Sequence, residues 1–229
     1  MSKAWATIPK GKPSIDHTVL ENYKMEPFDY TYTEKDLIIY GLGIGFGLDS
    51  QVTDRSLQNV FDSHEDFGVF PSFATIPPFQ AIADVVSLPK LVFNPMMLVH
   101  GETEFTIHKP CSAIPTSGTL TTNAVVSGVY DKKSGASIEI TGTTKDPSTK
   151  QVLFTNVMTL FIRGLGGFNG ATGPATKPLI PLAIAADAIA AKSITYKTTL
   201  NQALLYRLSG DTNPLHADPK LAQLGGFKQ

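Results

Sequence analysis

Cysteine is nearly absent from this chain of 229 residues, where Cys111 is the single example. That excludes an internal disulfide framework and any metal site built on paired cysteines. Cys111 lies beside Pro110 with no histidine next to it, which is a poor setting for a nucleophile. Long apolar runs are also missing: none reaches the roughly 18 uninterrupted residues that a spanning helix needs, so no membrane partner is expected. The opening Met-Ser-Lys-Ala-Trp-Ala-Thr-Ile-Pro-Lys lacks the apolar core of a secretory signal. Nor does one sign of charge dominate, because 19 basic residues meet 20 acidic ones for a net charge of -1. A whole-chain field able to hold nucleic acid by its phosphates is therefore not expected.

What is present reads as a globular, intracellular chain, 42% apolar and 17% charged. Residues 1–30, rich in proline and charge, read as a loosely structured arm. Thr33 can cap a helix that begins at Glu34-Lys35-Asp36 and ends in the glycines Gly41 to Gly47, whose spacing does not satisfy a dinucleotide-binding loop. Phe67–Phe70 reads as a short strand. Ser72–Ile76 and Phe79–Val86 read as one apolar helix interrupted near Pro77-Pro78, apolar on enough sides to be buried. The period then changes to two. Met97–His108, Thr119–Asp131, Ala136–Lys145 and Val152–Arg163 are strand-length runs rich in Val, Ile, Thr and Phe, separated by good turns. This order predicts an α+β hot-dog, an antiparallel sheet wrapped around a central helix.

Gly164–Lys192 marks a boundary. Its Gly-Leu-Gly-Gly-Phe-Asn-Gly start, prolines and Ala-rich end read as a linker, with a phosphate-cradling loop as the other option. The chain divides accordingly into 1–163, a linker at 164–192, and a second unit at 193–229. In that second unit Ser193–Thr199 is a strand candidate and Leu200–Leu208 is helical in pattern, with Thr199 as its cap. Asp218 caps a further helix that opens on Pro219. One strand and two short helices are too little to close a core, so a second hot-dog would be incomplete.

Between those helices lies Tyr206-Arg207-Leu208-Ser209-Gly210-Asp211-Thr212-Asn213-Pro214-Leu215-His216. Pro214 fixes its own φ and pushes Asn213 towards extended geometry, so the bend from Asp211 to His216 is stiff. Such a bend can aim a carboxylate and an imidazole at one water, although a capped surface turn uses the same residue types. A second cluster, His100, Glu102, Glu104, Thr106 and His108, alternates along one strand and would share one face. The two histidines stand roughly 26 Å apart along an extended strand, too far to share a metal ion, and a solvated face is the simpler reading.

The string from Tyr206 to His216, continued by Ala217-Asp218-Pro219 and Gly225-Gly226-Phe227, closely resembles the signature of MaoC-like (R)-specific enoyl-CoA hydratases. That family includes the hydratase part of the peroxisomal multifunctional enzymes of β-oxidation. The resemblance extends over Asp66-Phe67, Pro71-Ser72-Phe73, Leu98-Val99-His100-Gly101-Glu102 and Phe161-Ile162-Arg163-Gly164, from about residue 13 to the end. It implies a double hot-dog whose first half shapes an acyl tunnel and whose second carries the catalytic loop. By the same resemblance Asp211 and His216 are catalytic and Asn213 orders the site. His100, Gly101 and Lys132 would contact the CoA thioester, with Gly210, Thr212, Pro214 and Leu215 completing the substrate-binding loop. Lys133, Lys109 and Arg163 are further candidates for the CoA phosphates. Asp62 stands where some members carry a glutamate.

The implied reaction hydrates a trans-2-enoyl-CoA to a (3R)-3-hydroxyacyl-CoA, with CoA as part of the substrate and no metal or redox cofactor. Negative charge on the thioester oxygen calls for backbone N–H donors. The family supplies one from a glycine beyond the Gly-Gly-Phe stretch, past Gln229, so a chain ending there is expected to be poorly active or inactive. The remaining readings are a non-catalytic acyl-CoA-binding module and a hot-dog thioesterase. A peroxisomal setting is expected, with the cytoplasm as the alternative, and pairing into a homodimer is open.

Overall fold

The alternating runs hydrogen-bond into a single antiparallel sheet, because each turn between them is built to reverse the chain. Asp146 accepts hydrogen bonds from Ser148 N and Oγ at 2.8 and 2.6 Å, and Lys133 and Lys150 take the positive φ that their tight turns need. The computed structural model describes residues 11–47, 54–175, 188–189, 193, 195–224 and 226. Its elements begin with β1 (Ser14–Ile15), α1 (His17–Leu20), β2 (Phe28–Tyr32), α2 (Glu34–Gly43) and α3 (Asp54–Leu57). Then come α4 (Gln80–Asp84), β3 (Leu91–Val92), β4 (Leu98–Ile107), β5 (Gly118–Asp131), β6 (Gly135–Lys145) and β7 (Val152–Arg163). The last two are α5 (Gln202–Leu208) and α6 (Pro219–Leu224). The main sheet runs β2-β5-β6-β7-β4, and β1 pairs with β3 beside it. No described helix is long and apolar enough to cross a membrane.

One face of this sheet is the core. Ala136, Ile138 and Ile140 of β6 and Met158, Leu160 and Ile162 of β7 are all buried there, two residues apart along each strand. Ala81, Ile82 and Val85 of the central segment pack into one cluster with them, while Phe73 and Ala74 pack into a second with Leu120, Leu153 and Phe154. Burying one Val or Phe side chain stabilises by about 1.5–3 kcal/mol, which lets packing hold a segment with poor helical hydrogen bonding. That segment is the expected interrupted helix, but in shorter pieces. It forms 3-10 turns at Pro71–Thr75 and Pro77–Phe79, the brief α4, and a last 3-10 turn at Val85–Ser87. Pro77 and Pro78 offer no N–H and their rings crowd the preceding turn, so a regular helix cannot pass through them. Asn156, buried on β7, donates from Nδ2 to the carbonyl of Ala74 at 3.0 Å and so satisfies one acceptor left by the break.

The four long strands match the sequence reading within a residue or two. Thr33 starts α2 as expected, its N–H and Oγ1 both donating to the Asp36 carboxylate at 2.7 Å. Other expectations need correction. The arm is structured in its described part: β1 and α1 lie within it, and Phe28–Tyr32 forms an edge strand on Gly118–Thr122. Phe67–Phe70 is not a strand. Val69 is buried, but the backbone there bonds back to the loop, with Gly68 N donating to Gln58 O and Asn59 Nδ2 donating to Gly68 O. Within Ser193–Thr199 the described residues form no strand. The helix after them begins at Gln202, and Asn201 rather than Thr199 is its cap.

The start of the glycine-rich stretch is tied down. Asp131 accepts from Gly167 N and Asn169 N at 2.9 Å and from Lys133 N at 2.8 Å. Those N–H groups hold the Asp131 carboxyl below its ordinary value. The Ala-rich end of the stretch lies outside the described residues, apart from Ala188 and Ile189. Replacing Asp131→Ala should free residues 164–170 while leaving the sheet intact. Hydrogen exchange followed by mass spectrometry should show faster exchange in that segment, with β6 and β7 unchanged.

Candidate active site

The C-terminal segment reaches the hot-dog through two close approaches. A Cβ at Gly43 would meet Ser209 Oγ at 3.3 Å and Leu205 Cγ at 3.8 Å, so the missing side chain lets α5 lie against α2. Gln202 Nε2 donates to Gly43 O at 3.2 Å across the same contact. Gly210 follows with φ +134°, and a Cβ there would stand 3.0 Å from Ile76 Cγ2. Both the backbone angle and the space call for glycine.

Past Gly210 the chain folds by two successive side-chain turns. Asp211 Oδ1 accepts from Asn213 N at 2.9 Å, and Asn213 Oδ1 accepts from Leu215 N at 3.0 Å. Pro214 opens the 3-10 turn Pro214–His216, which returns His216 to Asp211. Nε2 of His216 is 3.3 Å from Oδ2 of Asp211, with the carboxylate side chain 6% exposed and the imidazole 46%. Arg207 Nη1 donates to Thr212 O and braces the loop from behind.

Desolvation works to raise the Asp211 carboxyl, but hydrogen bonds from His216 and from Asn213 N outweigh it and hold the group below its ordinary value. His216 is raised in turn, chiefly by its hydrogen bond to Asp211. Tyr206, in the last turn of α5, sets its ring edge-on to His216 at 5.7 Å, and its phenol is among the groups that favour the charged form of Asp211. Burial, and then the charge of Asp211, push its phenol up to about 12, so it stays a donor.

Three cavities meet at Asp211. One of about 280 Å³ is walled by Phe79, Leu98, His100, Arg163, Leu215 and His216, among others. A second of about 250 Å³ runs between α2 and the central segment, past Ile44, Ile76, Thr103 and Met158. The third, about 160 Å³, opens beside Tyr30, Gln80, Gly210 and Thr212. Asp211, Asn213, Leu215, His216 and His100 are thus brought to one cavity, and Gly210 and Thr212 line its neighbour. Lys132 is not on any of these walls. Its amine donates to Thr172 O at 2.5 Å and lies 5.6 Å from the Tyr130 ring centroid. Asp62 is exposed on a loop.

Gly101 plays a part that the strand pattern hides. It is the extra residue of a β-bulge between His100 and Glu102. The bulge breaks the alternation, so His100 does not share a face with Glu102 and Glu104, and instead bonds Thr103 Oγ1 at 2.6 Å. The residues missed from the sequence are Tyr206, Phe79 and Ile82. Tyr206 stands inside the motif five residues before Asp211, and that place was the available clue.

A five-stranded antiparallel sheet around a broken central helix, with a carboxylate–imidazole pair at its cavity, defines a hot-dog protein of the MaoC-like class. Residues 30–164 match the MFE-2 hydratase 2 N-terminal domain, and residues 185–229 match the MaoC like domain. The chain is 36% identical over 219 residues to a probable enoyl-CoA hydratase 2 of Dictyostelium discoideum, covering 94% of this chain and 70% of that protein. It is 42% identical over 210 residues to the peroxisomal hydratase-dehydrogenase-epimerase of Neurospora crassa, covering 87% of this chain and 22% of that much longer one. Among solved structures, a MaoC-like dehydratase from Phytophthora capsici superposes with a TM-score of 0.69 at 30% identity, over 92% of this chain and 70% of the other. The chain belongs to the MFE-2 hydratase 2 family.

Two measurements probe the site. Gly210→Val should undock the loop and lower the melting temperature by an amount corresponding to about 1–3 kcal/mol, the usual cost of overpacking. In an NMR titration, His216 should ionise above the free imidazole value of ~6.5, and Asp211→Asn should bring it back down. The sign follows from linkage. The raised His216 stabilises fully below its unfolded value and loses that contribution as pH rises through its folded one. The lowered Asp211 contributes above its unfolded value of ~3.9 and loses that as pH falls through its folded one.

Proposed function

We propose that the chain carries out the reversible hydration of trans-2-enoyl-CoA to (3R)-3-hydroxyacyl-CoA in peroxisomal β-oxidation, with Asp211 and His216 as the proton-handling pair. The observation that carries this reading is the 3.3 Å contact between a nearly buried carboxylate and a half-exposed imidazole at the junction of three cavities. The two domain matches and the relatives named as enoyl-CoA hydratases support the substrate class. The word peroxisomal in the name of the Neurospora crassa relative supports the compartment.

In this reaction water adds to C3 of the enoyl thioester and a proton reaches C2. Water held between Asp211 and His216 gives up a proton as its oxygen bonds to C3, while negative charge gathers on the thioester oxygen. Asn213 and Tyr206 keep Asp211 charged and aimed. The apolar cavity between α2 and the central segment takes the acyl chain, and the one that Arg163 lines takes the thioester arm. Arg163 and Lys132 are the cations assigned to the CoA phosphates, and Gly101 and Pro214 shape the walls without touching the reacting atoms. In this reading residues 1–163 form the half that shapes the tunnel, and residues 193–229 belong to the half that carries the catalytic loop.

Incubation with crotonyl-CoA and decenoyl-CoA separates this from its rivals. Hydration removes the ultraviolet absorbance of the conjugated enoyl thioester, hydrolysis releases a free thiol, and a binding module does neither. Asp211→Asn should lower kcat by about 10²–10⁴-fold, the usual contribution of a general base, with acyl-CoA binding by calorimetry kept within a few-fold. An Asp211→Asn variant with normal turnover would show that the base is elsewhere.

A further inference from the structure

Arg207 lies on none of the cavity walls, yet its side chain reaches the peptide that holds Asp211. Its Nη1 donates to the carbonyl oxygen of Thr212. That carbonyl shares one peptide unit with the N–H of Asn213, which donates to Asp211 Oδ1 at 2.9 Å. A trans peptide is planar, and its C=O and N–H point to opposite edges of the plane. Fixing the oxygen therefore fixes the direction of the N–H. The guanidinium stands at one edge of this peptide and the carboxylate at the other.

The brace spans a swivel. Gly210, at φ +134°, stands one residue before Asp211, where a glycine backbone has the most freedom to turn. Arg207 bridges that point from the last turn of α5 to Thr212. Its base is held in place, because α5 rests on α2 through Gly43, Leu205 and Ser209. His216 meets the other carboxylate oxygen, Oδ2. Around the three cavities that Asp211 borders, the remaining charged or titratable groups are His100 of β4, Arg163 of β7, Tyr40 of α2, Tyr206 of α5, and Asp29 and Tyr30 of β2.

We propose that Arg207 is a positioning residue: by holding the Thr212 carbonyl it aims the Asn213 N–H at Oδ1 of Asp211 and leaves Oδ2 to His216. Linked hydrogen bonds polarise one another, so the same bond also makes that N–H a stronger donor. Without the guanidinium the peptide can turn about Gly210, and Asp211 loses a donor that favours its charged form. The kinetic consequence rests on the hydratase reading; the placement of the peptide does not.

NMR of the full chain tests the placement. In the native protein the two Nη groups of Arg207 should give separate signals, because a bonded guanidinium turns slowly; one averaged signal would overturn the proposal. Arg207→Met keeps most of the apolar stem and removes every donor. It should move the Asn213 amide proton upfield and the Asp211 titration upward, and Arg207→Lys, which retains one donor, should restore both. An unchanged Asn213 amide and Asp211 titration in Arg207→Met would overturn the proposal. So would a shift that vanishes in 1 M salt, where the screening length falls to about 3 Å, since that marks a charge acting at a distance. In turnover, Arg207→Met should lower kcat about tenfold, a modest case of the penalty for a misplaced group, with KM altered less than about threefold. If the amide and titration behave as stated while the native chain hydrates no enoyl-CoA, the Arg207 assignment stands and the hydratase reading fails.

Discussion

The site depends on a contact made by two absent side chains. Gly43 lets Leu205 and Ser209 sit against α2, and Gly210, at φ +134°, lets the chain pass so close to Ile76 that any larger residue would be strained and would push that side chain aside. These approaches carry Asp211 into the wall of the hot-dog. α5 by itself offers little: Leu204 and Leu208 are exposed and its N-cap makes no side-chain hydrogen bond. A seven-residue helix of that kind is marginal in isolation, so its place comes from docking rather than from propensity. The placement of the loop from Asp211 to His216 is therefore a tertiary product, although every residue that shapes its local bend is contiguous in sequence.

Once docked, Asp211 faces a conflict between solvation and charge. Apolar walls such as Phe79 and Ile82 penalise the ionised form, while His216, Asn213 N and Tyr206 stabilise it. The bonds win in the free protein. That outcome keeps the group charged but makes it a weaker base than an exposed carboxylate. An acyl chain entering the cavity would strip more water from the same oxygens and push the balance towards a stronger base. Basicity would then rise with occupancy of the cavity.

Much of this was legible in the sequence because it is local. Period-two runs with strong turns located β4 to β7, Thr33 and Asp36 marked the start of α2, and Asp218 caps α6 by accepting from Lys220 N at 2.9 Å. The bend from Asp211 to His216 follows from Asx turns and a proline. What stayed hidden is non-local or hinges on one residue. Phe28, Tyr30 and Tyr32 alternate, but five residues between charged loops carry too weak a pattern to announce an edge strand. Phe67–Phe70 looks like a strand because it is apolar, yet its backbone is already satisfied by Gln58 and Asn59. A bulge at Gly101 needs only one added residue to exchange the two faces of β4, and a glycine in a strand is a faint signature for it. Tyr206 acts through a contact that exists only after α5 has docked.

The cavity itself is the last consequence of the prolines. A continuous helix from Pro71 to Ser87 would fill the concave face of the sheet and satisfy its own backbone. Pro77 and Pro78 prevent that, and the shortened path leaves the space between Ile44, Ile76, Thr103 and Met158. The repair is partial. Asn156 Nδ2 serves the Ala74 carbonyl, while its own Oδ1 is buried without a partner among the described residues. An orphaned buried acceptor costs about 1–3 kcal/mol, and a leucine at this position would avoid it only by abandoning Ala74. The fold thus retains a defect at the centre of its core because the same break that creates it also opens the room beside Asp211.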